Sequence, residues 1–332
     1  MTDRAAAAAV RDDFERRSGA FHPELLAHCY RMLGSVHDAE DLLQDTLLRA
    51  WRAYDRFDER RASMRTWLYR IATNACLTAL RSRGRRPLPS GLGGPADDVS
   101  VPMTPSPEVA WVEPFPDTLL GADPAAVVAA RGQLRLALIA ALQLLPARQR
   151  AILLLRDVLE WSAAEVAAAL DTTPAAVNSG RQRARARLAE LGIDEDQVDE
   201  PASADQRAVV DRYVTAFVNA DLAALATLLT DDVRLEMPPV PTWFVGRDNY
   251  VRFFAGVFDR RGTDWRIVAT QANGQPAIAA YVRAGAGYRA HSVQLFEVTR
   301  AGIAHHTVYL DPAAFVPFNL PADLPERGQV SS

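Results

Sequence analysis

Residues 60–96 hold eight arginines (60, 61, 65, 70, 81, 83, 85 and 86) and no acidic side chain, with Trp67 and Tyr69 set among them. Guanidinium groups neutralise phosphates and an aromatic face stacks on an unpaired base, so this segment suits an opened nucleic-acid strand. Upstream, Asp38-Ala-Glu-Asp-Leu-Leu-Gln-Asp45 sets Asp41 and Asp45 one helical turn apart. The two carboxylates share a face, either to meet a basic partner or only to favour the helix dipole. A third pattern lies at Ser162–Leu170, a short helix opened by a capping box between Ser162 and Glu165. Asp171-Thr172-Thr173 breaks it, and Pro174 begins a second helix with Thr173 as its N-cap. There Val177, Ala184, Leu188 and Leu191 form one stripe, while Asn178, Ser179, Gln182, Arg183 and Ala186 face outward. Asn, Gln and Arg on the free face of a helix behind a tight turn can read base edges in a major groove. The plainer alternative is a solvated surface helix. Arg181, at the edge of the stripe, is placed for a phosphate instead of a base.

The elements that position these groups fall into three structured stretches. Residues 11–86 read as helical throughout, with Leu43, Leu47 and Ala50/Trp51 recurring at helical spacing. Residues 87–125 contain nine prolines and are expected to be extended or disordered. Helical patterning returns over 126–191, and the acidic run 194–204 marks a further boundary. From 205 onward two amphipathic helices (205–230) and a short one (248–258) precede strand-like segments at 265–270, 277–283, 291–299 and 303–310. Helices followed by a strand meander make an α+β unit.

Charge follows the same divisions. Residues 11–86 carry fifteen arginines against eleven acids, and residues 126–191 nine against five, each a net +4. The strip between them holds six acids and no base, and residues 192–332 have a net charge of −6. Two basic modules around an acidic strip point to polyanion binding in two places. All 37 basic residues are arginine, which reflects a GC-rich genome more than chemistry, although arginine also suits bidentate phosphate and guanine contacts. The apolar runs are far shorter than a bilayer span, and no secretory leader is evident, so a cytoplasmic protein without a membrane partner is expected. Cys29 and Cys76 stand far apart in the sequence and read as incidental thiols.

Asp38–Trp51 and Thr66-Trp-Leu-Tyr-Arg-Ile-Ala-Thr-Asn74 resemble region 2 of extracytoplasmic-function (ECF) sigma factors of the sigma-70 family. Leu145-Pro-Ala-Arg-Gln-Arg-Ala-Ile-Leu-Leu155, Glu165–Leu170 and Ala176-Val-Asn-Ser179 resemble region 4. The resemblance implies an alternative sigma factor that binds RNA polymerase core and promoter DNA. Asp41, Gln44 and Asp45 would contact the polymerase clamp helices. Arg65, Trp67, Arg70 and Asn74 would bind and open the −10 element, and Thr173, Asn178, Ser179, Gln182 and Arg183 would read the −35 element. The acidic linker would follow the RNA exit path. Asn178 and Gly180-Arg181 depart from the usual pattern, so the −35 sequence does not carry over from relatives. A glycine inside this helix costs about 0.5–1 kcal/mol relative to alanine.

Residues 205–320 resemble the SnoaL-like members of the NTF2-like superfamily, a cone of curved antiparallel sheet closed by helices. The residues that carry this are Tyr213…Phe217, Asp221–Leu225, Leu228–Val233, Gly246-Arg-Asp and Tyr309-Leu-Asp311. The fold class is therefore multidomain: two all-α sigma domains (11–86 and 126–191), joined by the 87–125 linker, plus an α+β NTF2-like cone. Trp243, Phe244, Tyr250, Phe254, Tyr281, His291, His305 and Tyr309 are candidates to line a pocket in the cone. A small-molecule ligand there and an anti-sigma protein are partners the resemblance allows. No catalytic residue, metal or cofactor is assigned. Two alternatives stay open: a ligand-sensing DNA-binding regulator independent of polymerase, and an enzyme using Asp232 with His291 or His305.

Overall fold

The computed structural model describes residues 2–82, 84–121, 132–191 and 203–326. Two compact units account for them, one formed by 1–86 with 119–193 and the other by 87–118 with 194–332.

The first unit contains helices α1 (Thr2–Gly19), α2 (His22–Leu33), α3 (Val36–Arg52), α4 (Met64–Ala79), α5 (Leu136–Gln143), α6 (Ala147–Leu153), α7 (Ala163–Ala169) and α8 (Pro174–Glu190). The helices are cut where the sequence supplies caps. Gly34 takes φ 69° to end α2, Ser35 accepts from the Asp38 amide to start α3, and Ser63 accepts from Thr66 to start α4. The stretch read as helical throughout is therefore interrupted at 53–63, because Ser63 caps a new helix instead of continuing the old one. Leu25, Tyr30, Met32, Leu68 and Tyr69 form the buried centre of α2 and α4. Cys29 and Cys76 meet there as free thiols, and burial together with their mutual hydrogen bond pushes the Cys76 thiol well above its ordinary pKa, which makes it a poor nucleophile.

Polar side chains join α2 to the helices after residue 132. Gln143 donates to the Arg31 carbonyl at 3.3 Å, and Arg31 donates to Gln133 at the same distance. The buried Arg150 guanidinium donates to the Met32 carbonyl, to Gln143 Oε1 at 2.5 Å and to the Gln143 and Leu145 carbonyls at 3.1 and 3.3 Å. Burial without a carboxylate lowers its pKa to about 10.

The second unit holds α9 (Ser203–Val218), α10 (Leu222–Thr227), α11 (Arg247–Arg261) and strands β1 (Leu229–Met237), β2 (Val240–Val245), β3 (Trp265–Ala272), β4 (Gln275–Ala284), β5 (Gly287–Thr299), β6 (Gly302–Tyr309) and β7 (Asp323–Pro325). The sheet order is β2-β1-β6-β5-β4-β3, with β7 on β5. The β1–β6 pair is parallel, so the sheet is mixed instead of wholly antiparallel. Strands β1 and β2 were masked in the sequence by Asp231, Asp232 and the prolines at 238, 239 and 241; Val233, Leu235 and Met237 supply the buried alternation. Leu235, Phe244, Ile278, Phe296 and Val308 pack on the inner face against Tyr213, Phe217 and Phe254.

Residues 87–118 are irregular, as their prolines require, yet they are not free. Ser90 donates its amide to Glu236, Ala96 to the Trp243 carbonyl, and Ser106 to the Pro239 carbonyl. Asn273 exchanges two hydrogen bonds with the Phe115 backbone, and Val112 closes back onto Pro87. Ala96, Val99, Val101 and Met103 pack against the core of the cone. The expected loose linker is a strap on the α+β unit, because its few apolar residues find a sheet edge and its amides find fixed carbonyls.

Candidate functional site

Helix α8 presents the predicted readout face. Val177, Gly180, Ala184 and Leu188 are buried, while Thr173, Asn178, Ser179, Gln182 and Arg183 are all exposed. Thr173 Oγ1 caps the helix by accepting from the Ala176 amide at 3.2 Å. The turn ahead of it is fixed by Asp171 at φ 50° and by Arg148, which donates to the Leu170 carbonyl at 2.6 Å. Arg181 and Arg185 both reach Asp157, at 2.6 and 2.8 Å, so Arg181 braces the helix-turn-helix. Gly180 has a positive reason. A Cβ there would lie 2.7 Å from Ile152 Cδ1, so the glycine lets α8 approach α6 closely.

The arginine-rich helix α4 is more divided. Arg70 is exposed, and Trp67 is half-buried with its ring 4.8 Å from that of Phe57. Arg65 is held by Glu24 at 2.8–3.0 Å and lies over the Tyr69 ring, whose own side chain is buried. Tyr69 is thus a core residue and Arg65 an intramolecular partner, despite their place in the basic run. Asn74 is exposed but donates to the Ala169 carbonyl of α7 at 3.3 Å.

On α3, Asp41 and Gln44 are exposed, and Asp45 is half-buried and paired with Arg49 at 2.7 Å. Gln44 borders an open groove of about 1,040 Å³ between α1 and α3, lined by Phe14, Leu47, Leu48 and Trp51. Leu48 and Trp51 are 54% and 36% exposed, a pair of apolar side chains beside the carboxylates of α3.

The cone contains a cavity of about 390 Å³. Of the predicted lining residues, His291 and Phe254 reach it. Tyr250 and Phe244 lie deeper, in the core. Trp243, Tyr281, His305 and Tyr309 do not line it; alternation carries them to the other face of the sheet, where Trp243 pairs across from Glu236 and His305 from Glu297. Polar lining residues that sequence reasoning missed include Ser292, Gln294, Arg260 and Arg261. A β-bulge between Ala280 and Tyr281 makes His291 the extra residue on β5, so His291 and Ser292 both line the cavity. His305 Nε2 lies 2.8 Å from Glu236 Oε2. Burial opposes both charges, but each holds the other: His305 is raised, and Glu236, which also accepts from the Ser90 amide, is lowered.

The helices of the first unit, with a capped helix-turn-helix and an acidic α3, followed by a cone, define the class. Sigma-70 region 2 matches residues 19–86, Sigma-70 region 4 matches 135–188, and the SnoaL-like domain matches 210–306. The chain belongs to the ECF RNA polymerase sigma factors, which bind polymerase core and direct promoter-specific transcription initiation. It is 45% identical to the ECF sigma factor SigG of Mycobacterium tuberculosis over 317 residues, covering 95% of this chain and 85% of that one. SigJ of the same organism is 30% identical over 253 residues, 73% of this chain and 72% of that one. The crystal structure of SigJ superposes with a TM-score of 0.63 at 25% identity, covering 91% of this chain and 98% of the other. Among the described residues no helix is long and apolar enough to cross a membrane.

Proposed function

We propose that the cone modulates the sigma factor through the strap, and that the acts of initiation divide among the exposed faces described above. Asp41, Gln44 and Asp45, beside the apolar groove of Leu48 and Trp51, dock on the polymerase clamp helices. Trp67, Arg70 and Asn74 take the −10 element, and Asn178, Ser179, Gln182 and Arg183 read the −35 element from α8. Asn74 serves the Ala169 carbonyl in the free chain, so it must leave that bond before it can take a base. The protein works in the cytoplasm, where its polymerase is.

The observation that carries the modulatory reading is the bonding of residues 87–118 to the cone. This segment links region 2 to region 4, yet its amides at 90, 96 and 106 are spent on cone acceptors. It cannot follow the RNA exit path while it stays there. Release of the strap is therefore the step at which the cone sets activity. The charge of the cone, net negative, adds an electrostatic means of competing with DNA for basic faces.

Run-off transcription with core enzyme tests both parts. Removing the chain after Ala204 is expected to change transcript yield from the cognate promoter several-fold; equal yield at every salt concentration would sink the modulatory role. Asp41→Arg in the full chain is expected to weaken core binding about tenfold or more, since a like charge at an interface costs several kcal/mol. Undiminished binding would move the docking face elsewhere.

A further inference from the structure

The cavity in the cone has an internal polarity that specifies what it can hold. Its body is apolar, with Phe217, Phe254, Trp265 and Val308 among its walls, and Val99–Met103 of the strap forms one side. At about 390 Å³ it lies within the roughly 300–1,000 Å³ typical of small-molecule sites. Three of its uncharged polar residues, His291, Ser292 and Gln294, are grouped on β5; Ser100 on the strap is turned to Asp98, and Arg260 and Arg261 also border the cavity.

Those β5 groups end a buried chain of hydrogen bonds. Tyr213 and Tyr250 hydroxyls are 3.0 Å apart, Tyr250 is 2.7 Å from His306 Nδ1, and His306 Nε2 is 3.0 Å from Gln294 Oε1. The Gln294 amide then donates to Ser292 Oγ at 2.9 Å. Burial holds His306 neutral, with a pKa of about 3, so its imidazole carries one proton. With the proton on Nε2, which faces the Gln294 carbonyl oxygen, His306 donates to Gln294 and Gln294 donates to Ser292 at the cavity, whereas the Tyr250 hydroxyl is oriented toward Tyr213. Ser292 Oγ accepts from Gln294 and lies 3.3 Å from His291 Nδ1, so its own proton is shared between that weak contact and a ligand in the cavity. Arg261 lies close enough to His291 to help keep that imidazole uncharged, and places a positive field at the same end.

We propose that this cavity binds a monocarboxylate with an apolar body. The carboxylate accepts the Ser292 proton and faces Arg261, the body lies among Phe217, Phe254 and Trp265, and the strap segment Val99–Met103 closes over it. An alcohol of the same length is disfavoured, because it carries no charge to be held by the positive field of Arg260 and Arg261 at that end of the cavity. A small or multiply charged anion is disfavoured by the apolar walls. Ligand binding is a property of the cavity alone; its consequence for transcription rests on the modulatory reading above.

Calorimetric titration of the full chain with decanoate tests the site. One saturable equivalent is expected, with decanol at least tenfold weaker. Ser292→Ala should weaken decanoate about tenfold, and Val257→Phe, which fills the cavity from α11, should remove binding. The absence of saturable decanoate binding, equal affinity for decanol, or an unaltered Ser292→Ala titration would each overturn the proposal. Hydrogen exchange at the Ala96 and Ser106 amides, which tie the strap to Trp243 and Pro239, should slow when decanoate is bound; binding without that change would overturn the part given to the strap. Truncation that alters transcription while decanoate fails to bind would sink the ligand and leave the modulatory role standing.

Discussion

Replacing Arg150 by methionine is expected to destabilise the helical sigma unit by about 3 kcal/mol, the range for removing one member of a buried hydrogen-bond network around a charged group. Its guanidinium serves four acceptors: the carbonyls of Met32, Gln143 and Leu145, and the Gln143 side chain. Methionine keeps most of the volume and supplies no donor, so those oxygens stay buried without that partner. Met32 belongs to α2 and Gln143 to α5, so the loss falls on the joint between the region 2 and region 4 helices. A fall in thermal midpoint, together with faster hydrogen exchange in α5 and α6, is the expected signature. A variant as stable as the parent would show that packing alone makes the joint. Such loosening would also free Asn74 from Ala169, so the same variant should gain −10 strand affinity at temperatures where it remains folded.

Acid is expected to unfold the cone before the helical unit. His306 is buried and His291 half-buried, and both are held neutral, with pKa values lowered to about 3 and about 4 by desolvation first, and by His305 and Arg261 second. His28 in the helical unit is lowered to about 3 by burial and by Arg31 and Arg65. The ordinary histidine value is 6.5. Below that pH the unfolded chain takes up protons that the folded chain refuses, so stability falls with falling pH. Each such histidine costs about 1.4 kcal/mol per pH unit. The cone, with two strongly lowered histidines, should lose roughly 3 kcal/mol per unit between about pH 6 and pH 4.5, and the helical unit, where His28 is strongly lowered and His22 is lowered by its partial burial, should lose less. His305 works oppositely: its raised pKa contributes fully below 6.5 and its stabilisation is lost as pH rises above that. The lowered Glu236 contributes above 4.5 and is lost as pH falls below it. The Glu236–His305 pair is thus at full strength between these values. Denaturant titrations at a series of pH values check the slope, and His306→Gln should reduce it in the cone by about half. A cone equally stable at pH 7 and pH 5 would contradict the buried neutral state of these imidazoles.

Which side chains of the sigma helices face outward was largely legible in the sequence because it is local. Thr173, Pro174 and the Val177–Leu188 stripe specify a capped helix by spacing alone, and the spacing also fixes which side chains face out. Asp41 and Gln44 follow from the same periodicity. What the sequence could not decide is what depends on residues far apart in the chain. Arg65 reads as a phosphate ligand until Glu24, forty-one residues earlier, is brought to within 3.0 Å of it. Gly180 reads as a cost to helix α8 until Ile152 arrives on its open side. In the cone, alternation separates His305 from His306, but which of them faces inward depends on sheet curvature and on what covers each face. One extra residue on β5 then brings His291 beside Ser292, which no periodicity shows. The linker shows the same limit. Its prolines fix the absence of regular structure, whereas its attachment depends on Trp243, Glu236 and Asn273, more than a hundred residues away, whose carbonyls and side chains only the folded cone assembles.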